Sequence, residues 1–273
     1  MSPTSWRSAL AATALAWTAL CGGAEAAPRI ASLDQCADQY VLALAPRDEI
    51  VALSKRALNE DSYLRSSAVG LPERRATLES ILGERATVAV TYWAGDLRLP
   101  VALAQRGVGV VQIDETSDFN GVRANVRKVA AALDRRAAGE ALIGQMNVKL
   151  LQSRGAWGGA RALYLTPGGF TAGRDTLVGA MMAAAGLVNA SAPGGYAPVS
   201  LENLVLRPPA ALVLGFFQDL ADGRQHWSIG GNGYLQDLTR RRAIASLPGS
   251  MLGCPAWFAA DGALALAKAR PAH

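Results

Sequence analysis

Apolar residues in this chain fall into short unbroken runs that alternate with stretches of helical spacing. Residues 29–33 form the first run, and Asp34 then stands as a cap before residues 37–45, where apolar positions recur at helical intervals. A second run at 49–54 predicts a strand, and a polar loop follows through Asn59-Glu60-Asp61. Residues 78–82 predict a helix, 87–92 a strand ending in Trp93, 97–105 a helix and 108–113 a buried strand. Strands that are apolar throughout and separated by helices imply a mostly parallel sheet covered on both faces.

Residues 119–154 change character, with no strand candidate and two helical stretches that meet near Asp134, a suitable cap for the second. A long helix of this kind links two lobes stiffly. Strand and helix candidates then alternate again at 162–165, 177–185, 201–206 and 211–216, with a closing helix at 260–269. The halves echo each other: Leu78-Glu79-Ser80-Ile81-Leu82 leads into a strand ending in Tyr92-Trp93, as Leu201-Glu202-Asn203-Leu204-Val205 leads into one ending in Phe216-Phe217. Two unrelated α/β units also look alike at this level, so the echo by itself leaves their relationship open.

The amino terminus reads as an export signal: Arg7, then uncharged and mostly apolar residues from Ala9 to Leu20, then small residues ending in Ala24-Glu25-Ala26. A membrane span needs about 20 apolar residues, and Gly22, Gly23 and Glu25 end this run early. Leu20 before Cys21 is not the small residue that lipoprotein processing wants, so cleavage near Ala26 and a soluble product are expected. Removing residues 1–26 from 273 leaves 247, which suits two lobes of ordinary domain size. The expected division is a signal peptide (1–26), an amino-terminal α/β lobe (27–117), a helical connector (118–155) and a carboxy-terminal α/β lobe (156–273).

Charge and chemistry narrow the function. The net charge of +5 mildly favours anionic ligands, but no Lys/Arg block is interleaved with aromatics as nucleic-acid binding requires. There are two histidines, His226 and His273, and no G-x-S-x-G elbow, HExxH or P-loop. With so little histidine, neither a resident metal nor a cofactor is expected. Gly107-Val108-Gly109 and Gly230-Gly231-Asn232-Gly233 read as structural turns. Cys36 and Cys254 remain after cleavage, and in an oxidising compartment they form either one disulfide or two separate thiols. Aromatic residues at strand ends and in loops, namely Tyr63, Trp93, Phe170, Tyr196, Phe216, Trp227 and Trp257, favour a flat or bulky organic ligand over a bare ion.

Three segments, taken in order, carry a family resemblance: Arg29-Ile30-Ala31-Ser32-Leu33-Asp34-Gln35-Cys36-Ala37-Asp38, then Thr166-Pro167-Gly168-Gly169-Phe170-Thr171-Ala172-Gly173, and the pair of Leu-Glu helices. Together they resemble the periplasmic substrate-binding proteins of ABC importers for cobalamin, haem and iron–siderophore complexes, and the first is similar to a cobalamin-binding-protein-like branch. The resemblance implies a class III α/β fold: two lobes, each a mostly parallel sheet flanked by helices, joined by one long rigid helix, with little lobe motion. It places Trp93, Phe170 and Tyr196 against a ligand held between the lobes, with Tyr63, Phe216 and Trp257 as further contact candidates.

Glu79 and Glu202 match the exposed glutamates that dock onto arginines of the importer's membrane subunits. The segment Pro248-Gly249-Ser250-Met251-Leu252-Gly253-Cys254-Pro255-Ala256-Trp257 departs from the cobalamin binder in holding no arginine. It brings Cys254 near the cleft that Cys36 also faces, either bridging the lobes or facing the ligand. The function implied is non-catalytic: a monomer captures a corrinoid such as vitamin B12, or a ferric siderophore, and delivers it to the inner-membrane permease. A haem carrier of the same fold would need an axial ligand such as Tyr63. An exported enzyme would use Cys36 or Cys254 as nucleophile and His226 as base.

Overall fold

The structure, a computed structural model, describes residues 27–93, 96–192, 194–217 and 233–270. The export signal, Trp227, the two histidines and Gly230-Gly231-Asn232 lie outside the described residues.

The first lobe is built on five parallel strands, β1 (Ile30–Ser32), β2 (Ile50–Ser54), β3 (Glu73–Arg74), β4 (Val88–Thr91) and β5 (Gly109–Gln112), in the order β3-β2-β1-β4-β5. β1 and β2 are buried along their whole length, which is why they read as unbroken apolar runs. β5 corrects the expectation of a buried strand: it is the sheet edge, and Val110 and Val111 are only half-buried while the flanking Val108 and Ile113 are buried. α1 (Gln35–Leu44) covers one face of this sheet. α3 (Leu78–Gly83) and α4 (Arg98–Gln105) cover the other, where Ile81, Leu99 and Leu103 pack on Ala31, Val51 and Ala89. A short α2 (Arg65–Ala68) lies between β2 and β3.

α5 (Phe119–Ala132) and α6 (Arg136–Ser153) form an antiparallel hairpin, fixed by Arg127 to Glu140 at 2.6 Å and Arg123 to Asn147 at 2.6 Å. α6 is the long helix leading into the second lobe. Asp134 does not cap it. At φ 54° Asp134 ends α5 in a left-handed turn, with Asp134 N–H donating to Ala131 and Arg135 N–H to Ala130.

The second lobe carries β6 (Arg161–Leu165), β8 (Val188–Asn189), β10 (Ala211–Gly215) and β11 (Ala243–Leu247), all parallel in the order β11-β10-β6-β8. A separate antiparallel ribbon joins β7 (Phe170–Ala172) to β9 (Tyr196–Pro198). The helices are α7 (Leu177–Ala184), α8 (Leu201–Leu206), α9 (Gly233–Arg242), α10 (Gly249–Leu252) and α11 (Ala259–Lys268). The echo between the halves has a structural counterpart. α3 and α8 are capped by Thr77 and Ser200 respectively, and each precedes a strand, β4 or β10, that pairs with the first strand of its lobe.

The largest core cluster runs through both lobes. Tyr40 of α1, Val126 of α5, Met146 of α6, Met181 of α7 and Phe258 with Leu266 near α11 all belong to it. Separating the lobes would re-expose such side chains at about 1.5–3 kcal/mol each, so the shared core resists hinge opening. Among the described residues no helix is long and apolar enough to cross a membrane.

Candidate functional site

The first sheet reverses its order at β1, whose connections run outward to β2 and β3 on one side and to β4 and β5 on the other. Ligand crevices in parallel sheets open outside the carboxyl ends of the strands at such a point. Asp34 sits there, immediately after β1. Its Oδ1 accepts the Ala37 N–H at 2.9 Å and caps α1, as expected from the sequence. Its Oδ2 accepts from the backbone N–H of Tyr92 at 2.6 Å, that of Trp93 at 2.9 Å and the Thr91 hydroxyl at 3.1 Å. One carboxylate thus ties the ends of β1 and β4 and sets two aromatic residues at the mouth of the crevice.

Two cavities meet there. The first, of about 570 Å³, is lined by Lys55, Arg56, Arg74, Arg75, Trp93 and Cys36 among others. The second, of about 650 Å³, is lined by Glu115, Asp175, Tyr196, Pro255 and neighbouring residues. Tyr92, Gly253 and Cys254 line both, so the cavities are two halves of one cleft between the lobes. A further hollow of about 460 Å³ lies between Glu60, Tyr63 and Ser250.

Cys36 and Cys254 are joined by a disulfide, with Cα atoms 5.4 Å apart. The question left open by the sequence resolves in favour of both readings at once: the bond bridges the lobes and also lines the cleft. Neither cysteine then offers the free thiol that a cysteine nucleophile needs. Beneath it, the Tyr40 hydroxyl donates to the Pro255 carbonyl at 2.6 Å, and the Tyr40 ring meets Trp257 edge-on at 5.3 Å.

The two halves of the cleft differ in charge. The first is dominated by cations. The second holds Glu115 and Asp175, with the Tyr92 hydroxyl donating to Glu115. Burial, reinforced by Glu115, pushes the Tyr92 hydroxyl above the usual phenol range, so it stays a protonated donor. Below the first half, buried Asp38 accepts the Ser54 N–H at 2.9 Å and the Ser54 hydroxyl at 2.6 Å, which fixes the turn carrying Lys55 and Arg56. Burial pushes the Asp38 carboxyl up to about 6.

Trp93 and Tyr196 line the cleft and are 71% and 61% exposed, so each presents a free ring. Phe170 is exposed on β7 but lines neither half; its ribbon partner β9 carries Tyr196. Trp257 corrects the sequence reading: it is 6% exposed, wedged between Tyr40 and Phe258. Tyr63 lines the smaller hollow and neither half of the cleft; its ring stacks on Phe258 at 4.3 Å and its hydroxyl donates to Asp261 at 3.0 Å, so it packs the lobes together. Phe216, at φ 63°, lies beside Gly249 and outside both halves of the cleft. Glu79 and Glu202 stand exposed in the first turns of α3 and α8.

Tyr92, Asp34, Glu115 and the four cations were not singled out as ligand contacts from sequence. The Tyr92-Trp93 strand end was the one available signal, because a residue facing both halves of a cleft is defined by the second lobe.

No protein-family profile matches the chain, and no curated protein matches it. Solved structures do match its fold. The periplasmic heme-binding protein RhuT from Roseiflexus sp. RS-1, in apo form, is 23% identical with a TM-score of 0.67, covering 89% of this chain and 97% of that one. The periplasmic heme-binding protein HutB of Vibrio cholerae is 19% identical with a TM-score of 0.71, covering 88% and 98%. The periplasmic vitamin B12-binding protein BtuF of Vibrio cholerae is 18% identical with a TM-score of 0.61, covering 88% and 95%. The chain has the class III fold of these periplasmic binding proteins.

Proposed function

We propose that this chain is the periplasmic substrate-binding component of an ABC importer, which captures a metal–organic chelate between its lobes and carries it to the inner-membrane permease. The observation that carries this reading is the cleft itself. It opens at the carboxyl ends of a parallel sheet, is flanked by exposed Trp93 and Tyr196, and is floored by the Cys36–Cys254 bond. Large exposed rings next to convergent polar groups suit a bulky, partly apolar ligand. The shared fold with binding proteins for heme and vitamin B12 supports the same class of cargo.

The chelate is cargo and not a resident cofactor. The core shared by both lobes, together with the disulfide, favours capture with little closure, in which affinity arises from a preformed surface. Glu79 and Glu202, one on each lobe, are the proposed docking points for basic residues of the membrane subunits. The expected export signal gives the carrier its compartment, and the carrier acts as a monomer. Calorimetric titration against haem, cobalamin, cobinamide and ferric siderophores tests the reading: saturable one-to-one binding of one of them is expected, and binding of none refutes it.

A further inference from the structure

Two basic pairs distant in sequence are brought together by strand register. Lys55 and Arg56 follow β2, while Arg74 ends β3 and Arg75 follows it, and the parallel pairing sets Ser54 opposite Arg74. All four side chains line the first half of the cleft.

The acids nearby, Asp34 and Asp61 in the lining and Glu84 beside it, offset these charges only in part. Glu84 takes Arg74 at 2.5 Å, and Asp61 lies 3.9 Å from Arg56. Asp34 has both oxygens filled by the Ala37, Tyr92 and Trp93 N–H groups and the Thr91 hydroxyl. Among the described residues, no acidic side chain pairs with Lys55 or Arg75. The opposite half has the reverse sign through Glu115 and Asp175, so a ligand lying over the disulfide meets positive charge at one end and negative at the other.

We propose that the first half of the cleft is a carboxylate subsite, and that the cargo is a chelate bearing carboxylate groups which rest against Lys55 and Arg75. This rests on the importer reading above and selects within it. Carboxylates gain charge-assisted hydrogen bonds from these side chains, whereas a neutral chelate leaves the two cations without partners. Such carboxylates belong either to a porphyrin or to a carboxylate siderophore.

The test is calorimetric titration of the signal-free chain with matched pairs: haem against its dimethyl ester, and ferric citrate against a neutral ferric trihydroxamate, with cyanocobalamin as a further neutral chelate. The acid member of one pair is expected to bind at least about tenfold more tightly than its neutral partner, an advantage that shrinks as salt rises from about 50 to 500 mM. The pair that shows it names the source of the carboxylates. Lys55→Ala with Arg75→Ala should bring the ratio of acid to neutral affinity down to about one. The wild-type comparison stands even if that variant folds poorly. Equal binding of acid and neutral members, or cyanocobalamin binding more tightly than every acid, overturns the subsite and leaves the importer reading intact. Binding of no chelate at all overturns both.

Discussion

Cys36, in the first turn of α1, is covalently joined to Cys254, 218 residues further along the chain, so the floor of the cleft is a bond between the lobes. The same contact is reinforced by Tyr40, whose hydroxyl reaches Pro255 and whose ring packs on Trp257. α1 therefore serves the site through its amino-terminal turn: Asp34 at its cap positions Tyr92 and Trp93, and Cys36 anchors the loop from the second lobe.

Removing this bond should cost stability. Closing so long a loop is worth about 5 kcal/mol in the chain-entropy account, and measured losses run to about 2–5 kcal/mol. Cys36→Ser with Cys254→Ser should lose stability in that range in urea denaturation, with a matching loss when the native chain is reduced. An unchanged midpoint would show that the shared core alone holds the lobes.

Trp93 and Trp257 should respond oppositely to truncation. Trp93→Ala removes an exposed ring and should change stability by less than about 0.5 kcal/mol while weakening ligand binding. Trp257→Ala empties a site between Tyr40 and Phe258 and should cost about 3–5 kcal/mol. Thermal melts and titrations of both variants separate the two roles.

Asp38 gives a pH signature. Burial holds its carboxyl at about 6, above the ordinary 3.8, so the folded chain binds the proton more tightly than the unfolded one. Its contribution to stability is full below about pH 4 and is lost as pH rises through about 6, amounting to about 3 kcal/mol. Asp38→Asn should flatten that window in a series of denaturation curves. Variation of equal size in the Asn variant would assign the effect to other groups.

The legible parts of this fold were those with a period. The runs at 29–33, 49–54, 87–92 and 162–165 each contain a central strand, because burial on both faces demands continuous apolar residues. β3 and β8 have two residues each and the β7–β9 ribbon three per strand, too short to show alternation. The cationic wall was hidden because Lys55-Arg56 and Arg74-Arg75 become neighbours only through β2–β3 pairing. Trp257 looked available from its loop position, whereas its burial depends on Tyr40 arriving from the other lobe.

Glu79 and Glu202 sit on exposed first turns where a helix dipole interaction is worth about 0.3–1 kcal/mol at most. Replacing both with alanine should therefore leave folding and chelate affinity nearly unchanged while abolishing transport into vesicles that carry the cognate importer. Lost affinity would move these residues from docking to binding.

The most direct test of the central claim is titration of the signal-free chain with haem, cobalamin, cobinamide and ferric siderophores, followed by tryptophan fluorescence and calorimetry, alongside Trp93→Ala and Tyr196→Ala. The account predicts one-to-one saturable binding of one chelate, weakened at least about tenfold in each variant. Binding of none of them, or binding that both variants leave intact, would contradict it.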